Sequence, residues 1–192
     1  DDGVAVAYAL ALLDGDAVEH PPLEVVFTTD EEVGMLGADK LDLSPLEGRM
    51  LLNLDSDEEG VLLAGCAGGF DFTMDMPLAW ERLDGFAMDL QIGGLQGGHS
   101  GAQIHQQHGN ANKLAGRLIS YLDKQADIRL YQVAGGTKDN VIPSQCDIKI
   151  VAGDARKVKS LCETVLATWK AEFGSDEPGL FLQVKTGEEG TH

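Results

Sequence analysis

The sequence predicts an α/β region followed by a small α+β domain, and three observations carry that reading. Two short, nearly continuous apolar runs, residues 23–28 and 50–54, alternate with helix-like segments at 4–13 and 34–41. The run Ala64-Gly65-Cys66-Ala67-Gly68-Gly69 then interrupts the chain with small residues. From residue 86 onward the apolar period switches in the order β-α-β-β-α-β, the split βαβ arrangement. The expected domains are therefore 1–65 and 66–192.

The first region is justified element by element. Residues 4–13, Val-Ala-Val-Ala-Tyr-Ala-Leu-Ala-Leu-Leu, read as a small-residue helix, apolar almost all round and so expected inside a core. Gly15-Asp16 ends it. Residues 23–28 have the pattern of a central parallel strand. Residues 34–41 form a short helix closed by Ser44-Pro45, and residues 50–54 a second buried strand. Alternating helices and strands with short links imply a parallel sheet, whose sites lie beyond the carboxyl ends of its strands.

In the second region, residues 70–76 alternate as a half-buried strand, and residues 86–92 alternate again. Ala111, Leu114, Ala115, Leu118, Ile119 and Leu122 follow helical spacing over about 110–124. Residues 128–133 and 146–151 read as strands. Val158, Leu161, Val165, Leu166, Trp169 and Phe173 make a second helical stripe, whose aromatics are core residues. Residues 180–184 close the domain as a strand.

Lys and Arg number 14 against 32 Asp and Glu, a net charge of −18. That balance argues against a nucleic-acid backbone or an anionic membrane as partner. It is explained by solubility, or in part by acids that await divalent cations. Cys66, Cys146 and Cys162 are few, odd in number and without a C-x-x-C pair, which points to reduced, buried thiols in a cytoplasmic protein. The chain opens on Asp1 and reads as a piece of a longer protein.

The chemistry-bearing residues lie at element ends. Glu31-Glu32 follow the first apolar run, Asp55-Ser56-Asp57-Glu58-Glu59 follow the second, and Asp1-Asp2-Gly3 precedes the first helix. Adjacent carboxylates can divide labour, one ligating a metal and the other holding a proton. Asp1 could bridge two metals, Glu32 and Asp55 could each bind one, and Glu31 could accept a proton from water. A charged loop exposed to water would carry the same acids. A calcium hand fits poorly at residues 55–66, because its twelfth position is Cys66. Gly97-Gly98-His99-Ser100-Gly101 is a tight turn presenting one His, which could donate to an oxyanion or simply decorate a surface turn. His105 and His108 lack the spacing of a helical zinc pair and are read as solvated. Asn140, in Lys138-Asp139-Asn140-Val141-Ile142-Pro143, could bind a substrate polar group or stabilise the turn.

The ordered set Asp1-Asp2-Gly3, Thr29-Asp30-Glu31-Glu32-Val33-Gly34, Asn53-Leu54-Asp55-Ser56-Asp57-Glu58, Gly97-Gly98-His99-Ser100-Gly101 and Asn140-Val141-Ile142-Pro143 resembles the co-catalytic di-zinc peptidase family, on its dipeptidase branch. The resemblance spans the chain. It implies a zinc-binding α/β catalytic domain, represented in part by residues 1–65, and an inserted α+β lid that dimerises, residues 66–192. It further implies two zinc ions, with Asp1 bridging, Glu32 on one and Asp55 on the other. Glu31 would be the general base. His99 would stabilise the tetrahedral intermediate in the partner subunit's site, and Asn140 would help hold a dipeptide, Xaa-His among others. The family's His-x-Asp segment before Asp1 and its late His ligand are not in this sequence. The piece alone is therefore expected to bind zinc weakly or not at all and to turn nothing over. Hydrolysis of N-acyl amino acids, a non-catalytic dimerisation module and an acidic calcium-binding module are the rival readings.

Overall fold

The computed structural model describes residues 3–15, 18–55, 58–66, 68, 70 and 72–192. The chain divides into two compact units, Asp1–Gly68 and Gly69–His192.

In the first unit helix α1 spans Gly3–Leu13 and the single turn α2 spans Leu36–Asp39. Both agree with the sequence. The strands do not. Residues 23–28 and 50–54 enter no ladder, and the expected parallel sheet is not formed among the described residues. A strand needs a neighbour to take its backbone N–H and C=O groups, and neither run has one here. Nor does the apolar character of α1 place it in a core. None of its residues is buried, and Leu51 and Leu52 are 90% and 84% exposed. No described residue of this unit is buried. The unit carries isolated hydrogen bonds instead of a core. The Glu24 carboxylate accepts from Glu47 N at 2.9 Å and from Gly48 N at 2.5 Å, tying two distant stretches together.

The second unit is a four-stranded antiparallel sheet with two helices. Its strands are β1 (Asp84–Gly93), β3 (Ile128–Gly135), β5 (Cys146–Ala152) and β6 (Phe181–Thr191), in the order β3-β5-β1-β6. Helix α3 (Ala111–Gln125) joins β1 to β3, and α4 (Ala155–Phe173) joins β5 to β6. The strand and helix order is the predicted β-α-β-β-α-β. A second ladder pairs β2 (Gly98–His99) with β4 (Val141–Ile142), and a 3-10 turn covers Ile104–Gln106. Strand β6 runs further than residues 180–184, because it pairs along all of β1, from Gly93↔Phe181 to Asp84↔Thr191. Of the expected strand 70–76, residue 71 lies outside the described residues; the described ones form no strand, and Phe70, Met74 and Met76 stay exposed.

Alternation decides the faces. Met88, Leu90 and Ile92 of β1 and Cys146, Ile148 and Ile150 of β5 point to one side and are buried. Leu114, Leu118 and Leu122 of α3 and Val158, Cys162 and Trp169 of α4 cover that side. The opposite face carries Asp89 between Lys149 and Lys185 in register. Both helices begin where their sequence caps them. The Asn110 side chain accepts from Lys113 N at 3.1 Å, and Asp154 accepts from Arg156 N and Lys157 N at 3.0 Å. Arg117 joins the helices through a bidentate pair with Glu172 at 2.6 and 2.9 Å, its guanidinium 5.9 Å from the Trp169 ring centre. This bond holds the Glu172 carboxyl below its usual range. Both partners are nearly half exposed, so the pair adds little stability.

The three cysteines are free, but only Cys146 and Cys162 are buried; Cys66 is exposed, against expectation. Burial, with the nearby Glu163 charge second, pushes the Cys162 thiol from 9.0 to about 11. The folded state thus favours the neutral thiol. Its contribution is complete below pH 9.0 and is lost as pH rises toward about 11. Chemical denaturation across that window should show an alkaline loss of about 2 kcal/mol that is absent from the pH profile of Cys162→Ala.

Candidate active-site residues

Glu31 and Glu32 sit in a tight turn. Gly34 N and Met35 N donate to the Glu31 carbonyl at 3.0 and 2.9 Å, and Gly37 N donates to Thr29 O at 3.0 Å. Asp30 and Met35 take positive φ values of 59° and 56°. The turn crosses itself closely, since a Cβ on Gly37 would lie 2.6 Å from Thr29 N. Both carboxylate residues are exposed at its tip. Asp55 is exposed in an irregular stretch of the same unit. Asp1 and the neighbouring Ser56 and Asp57 lie outside the described residues.

His99 and Asn140 are brought together. The β2–β4 ladder sets His99 opposite Val141, and Ser100 N donates to Asn140 O at 2.9 Å. The glycine turn around His99 is tightly specified. Gly98 has φ 133°, and a Cβ there would lie 2.6 Å from Gln103 Oε1. That Gln103 oxygen accepts from His99 N at 2.7 Å. Gly101 N and Ala102 N both donate to His99 Nδ1, at 3.0 and 3.1 Å. A nitrogen that accepts two N–H groups carries no hydrogen, so the neutral ring holds its proton on Nε2. The exposed imidazole therefore offers an Nε2–H donor.

His108 is not solvated as the sequence suggested. It is half-buried, and its Nδ1 hydrogen-bonds the Gly97 carbonyl, bracing the turn from behind. His105 is exposed. Gln103 and His108 were missed because neither belongs to a spaced motif. Only the folded turn brings them to His99. A groove of about 520 Å³ lies beside the pair, lined in part by Ser100, Asn110, Asn112, Lys138 and Asp139.

Among the described residues no group of three or more His, Cys, Asp or Glu side chains comes close enough to hold a metal ion. Glu32 and Asp55 belong to no such group among the described residues, and Asp1, the third expected ligand, lies outside them. No helix among the described residues is long and apolar enough to cross a membrane.

Comparison with known proteins shows what the chain resembles. Residues 91–172, from β1 through Glu172 of α4, match the peptidase dimerisation domain of the M20 family. The chain is 42% identical over 186 residues, 95% of its length, to the cytosol non-specific dipeptidase of Escherichia coli strain K12. Residues 91–172 thus resemble the M20 peptidase dimerisation domain, and the chain is similar along most of its own length to a dipeptidase. It spans 38% of that dipeptidase's length. The crystal structure of an aminoacylhistidine dipeptidase from Vibrio alginolyticus superposes with a TM-score of 0.67 at 37% identity, covering 98% of this chain and 39% of that one. The match contains His99, Gln103, His108 and Asn140, so the β2–β4 ladder that holds His99 lies inside the matched dimerisation domain.

Nitrogen NMR of the His99 ring should find the neutral form with hydrogen on Nε2. Gly98→Ala, which crowds Gln103, should mix the two tautomers; an unchanged ring in that variant would mean that the turn does not set it.

Proposed function

We propose that the protein to which this chain belongs is a metal-dependent dipeptidase acting on Xaa-His and other dipeptides. The observation that carries the reading is the 42% identity to a dipeptidase over nearly the whole chain. Residues 1–65 are proposed as part of the catalytic domain, and residues 66–192 as a lid through which two copies pair. The pairing is supported by the dimerisation-domain match, and a cytoplasmic location by the name of the relative.

Two zinc ions belong to the proposal for the whole protein, with Asp1, Glu32 and Asp55 as acidic ligands. Asp1 lies outside the described residues, so the steps assigned to this chain are those of its other side chains. Glu31 takes the proton of the attacking water and passes it to the leaving amine. The Nε2–H of His99 donates to the oxygen that gains charge in the tetrahedral intermediate, in the partner copy's site. Asn140, fixed beside His99, holds a polar group of the substrate.

In the full-length protein, Glu31→Gln should abolish dipeptide hydrolysis while bound metal, counted by elemental analysis, stays at the parent level. Normal turnover by that variant would remove Glu31 from the role. His99→Ala should lower kcat roughly 10²–10³-fold. Sedimentation should give a dimer mass for the full-length protein, and a species that stays monomeric at high concentration would exclude action across the pair.

A further inference from the structure

The buried carboxylate of the second unit has no part in the proposed hydrolytic steps. Glu177 is 3% exposed and lies in the turn between α4 and β6. Its sequence setting, Ser175-Asp176-Glu177-Pro178-Gly179, resembles an ordinary solvated turn. Yet both of its oxygens are committed. Oε2 accepts from Gln96 N at 2.8 Å, and Oε1 accepts from Gly109 N at 2.6 Å. These two N–H groups stand at the opposite ends of the loop that carries His99.

The same turn grips the loop a second time, because the Gln96 side chain donates to the Asp176 carbonyl. The fit around the carboxylate is close. A Cβ on Gly109 would lie 2.7 Å from Leu95 Cδ2 and 3.3 Å from Glu177 Oε1. From this base the bonds run continuously to the imidazole. His108 next to Gly109 bonds the Gly97 carbonyl next to Gln96. Gly98 packs on Gln103, Gln103 accepts from His99 N, and Gly101 and Ala102 donate to His99 Nδ1.

We propose that Glu177 is a positioning residue for His99: its carboxylate closes the loop at residues 96 and 109 and thereby fixes the orientation and tautomer of the imidazole. Among the described residues no other acceptor takes either N–H, and Gly109 is buried, where an N–H left without a partner is costly, so the loop is held in one geometry. Surface turns of glycine and polar residues are otherwise among the least protected parts of a fold. The clamp gives a flexible sequence the rigidity that an oxyanion donor needs. The catalytic meaning rests on the proposed hydrolysis; the clamp itself does not.

The test is amide hydrogen exchange and His-ring nitrogen NMR on the 192-residue chain carrying Glu177→Gln. The amide keeps the side chain's volume but turns an N–H₂ toward one of the two backbone donors. Exchange at Gln96, Gly109, Gly101 and Ala102 should rise about tenfold or more while α3 and α4 keep their protection. The His99 ring should lose its single tautomer. Faster exchange at Gln96 and Gly109 with Gly101, Ala102 and the His99 ring unchanged overturns the proposal. If Glu177→Gln does not fold, Glu177→Asp is read at the same sites with the same criteria. In the full-length protein Glu177→Gln should lower kcat and leave KM unchanged. Absence of any peptidase activity in the parent, with the exchange result intact, counts against the reaction and not against the clamp.

Discussion

Strand β1 is the constraint on which the second unit depends. It is hydrogen-bonded on both sides, to β5 from Phe86↔Ala152 to Ile92↔Cys146 and to β6 from Asp84↔Thr191 to Gly93↔Phe181. A one-residue slip in either ladder would turn Met88, Leu90 and Ile92 away from the helices and present Asp89 and Gln91 to them. Burial thus locks the register. The register in turn sets where β1 ends, and the His99 loop starts from that end. The turn after α4 meets the same loop because β6 must return alongside β1.

The first unit lacks such a constraint. Its apolar runs satisfy every local criterion for buried strands, and α1 is apolar enough for an interior. None of these residues is buried. Hydrophobic sequence creates a demand for partners, but it does not supply them. Leu51, Leu52 and Leu62 stay open to solvent at 84% or more, a surface suited to being covered by further protein.

At His99 a weakly specific motif becomes a chemical group with a direction. A glycine-flanked histidine is common. Here two backbone donors occupy Nδ1, a glutamine side chain holds the backbone N–H, and a short ladder sets Asn140 beside it. The hydrogen on Nε2 is a consequence of that arrangement and not of the imidazole alone. The ring and the carboxylate clamp beneath it obey the same principle: buried or strained backbone groups take the partners that geometry leaves them.

The sequence by itself determined the β-α-β-β-α-β order, the two helices and the family resemblance, because period and short ordered motifs are local and additive signals. It also singled out His99 and Asn140, each flanked by turn residues. Only the tertiary structure decided that these two meet at one short ladder between distant segments, that β6 extends to Thr191, that His108 is a brace and that Glu177 is buried. Those facts depend on which distant segments meet, and a turn such as Asp176-Glu177-Pro178-Gly179 looks the same in sequence whether water or a backbone N–H faces its carboxylate. For the same reason the paired carboxylates Glu31 and Glu32 and the more distant Asp55 were visible as residues, while what each of them meets depends on segments brought together in space.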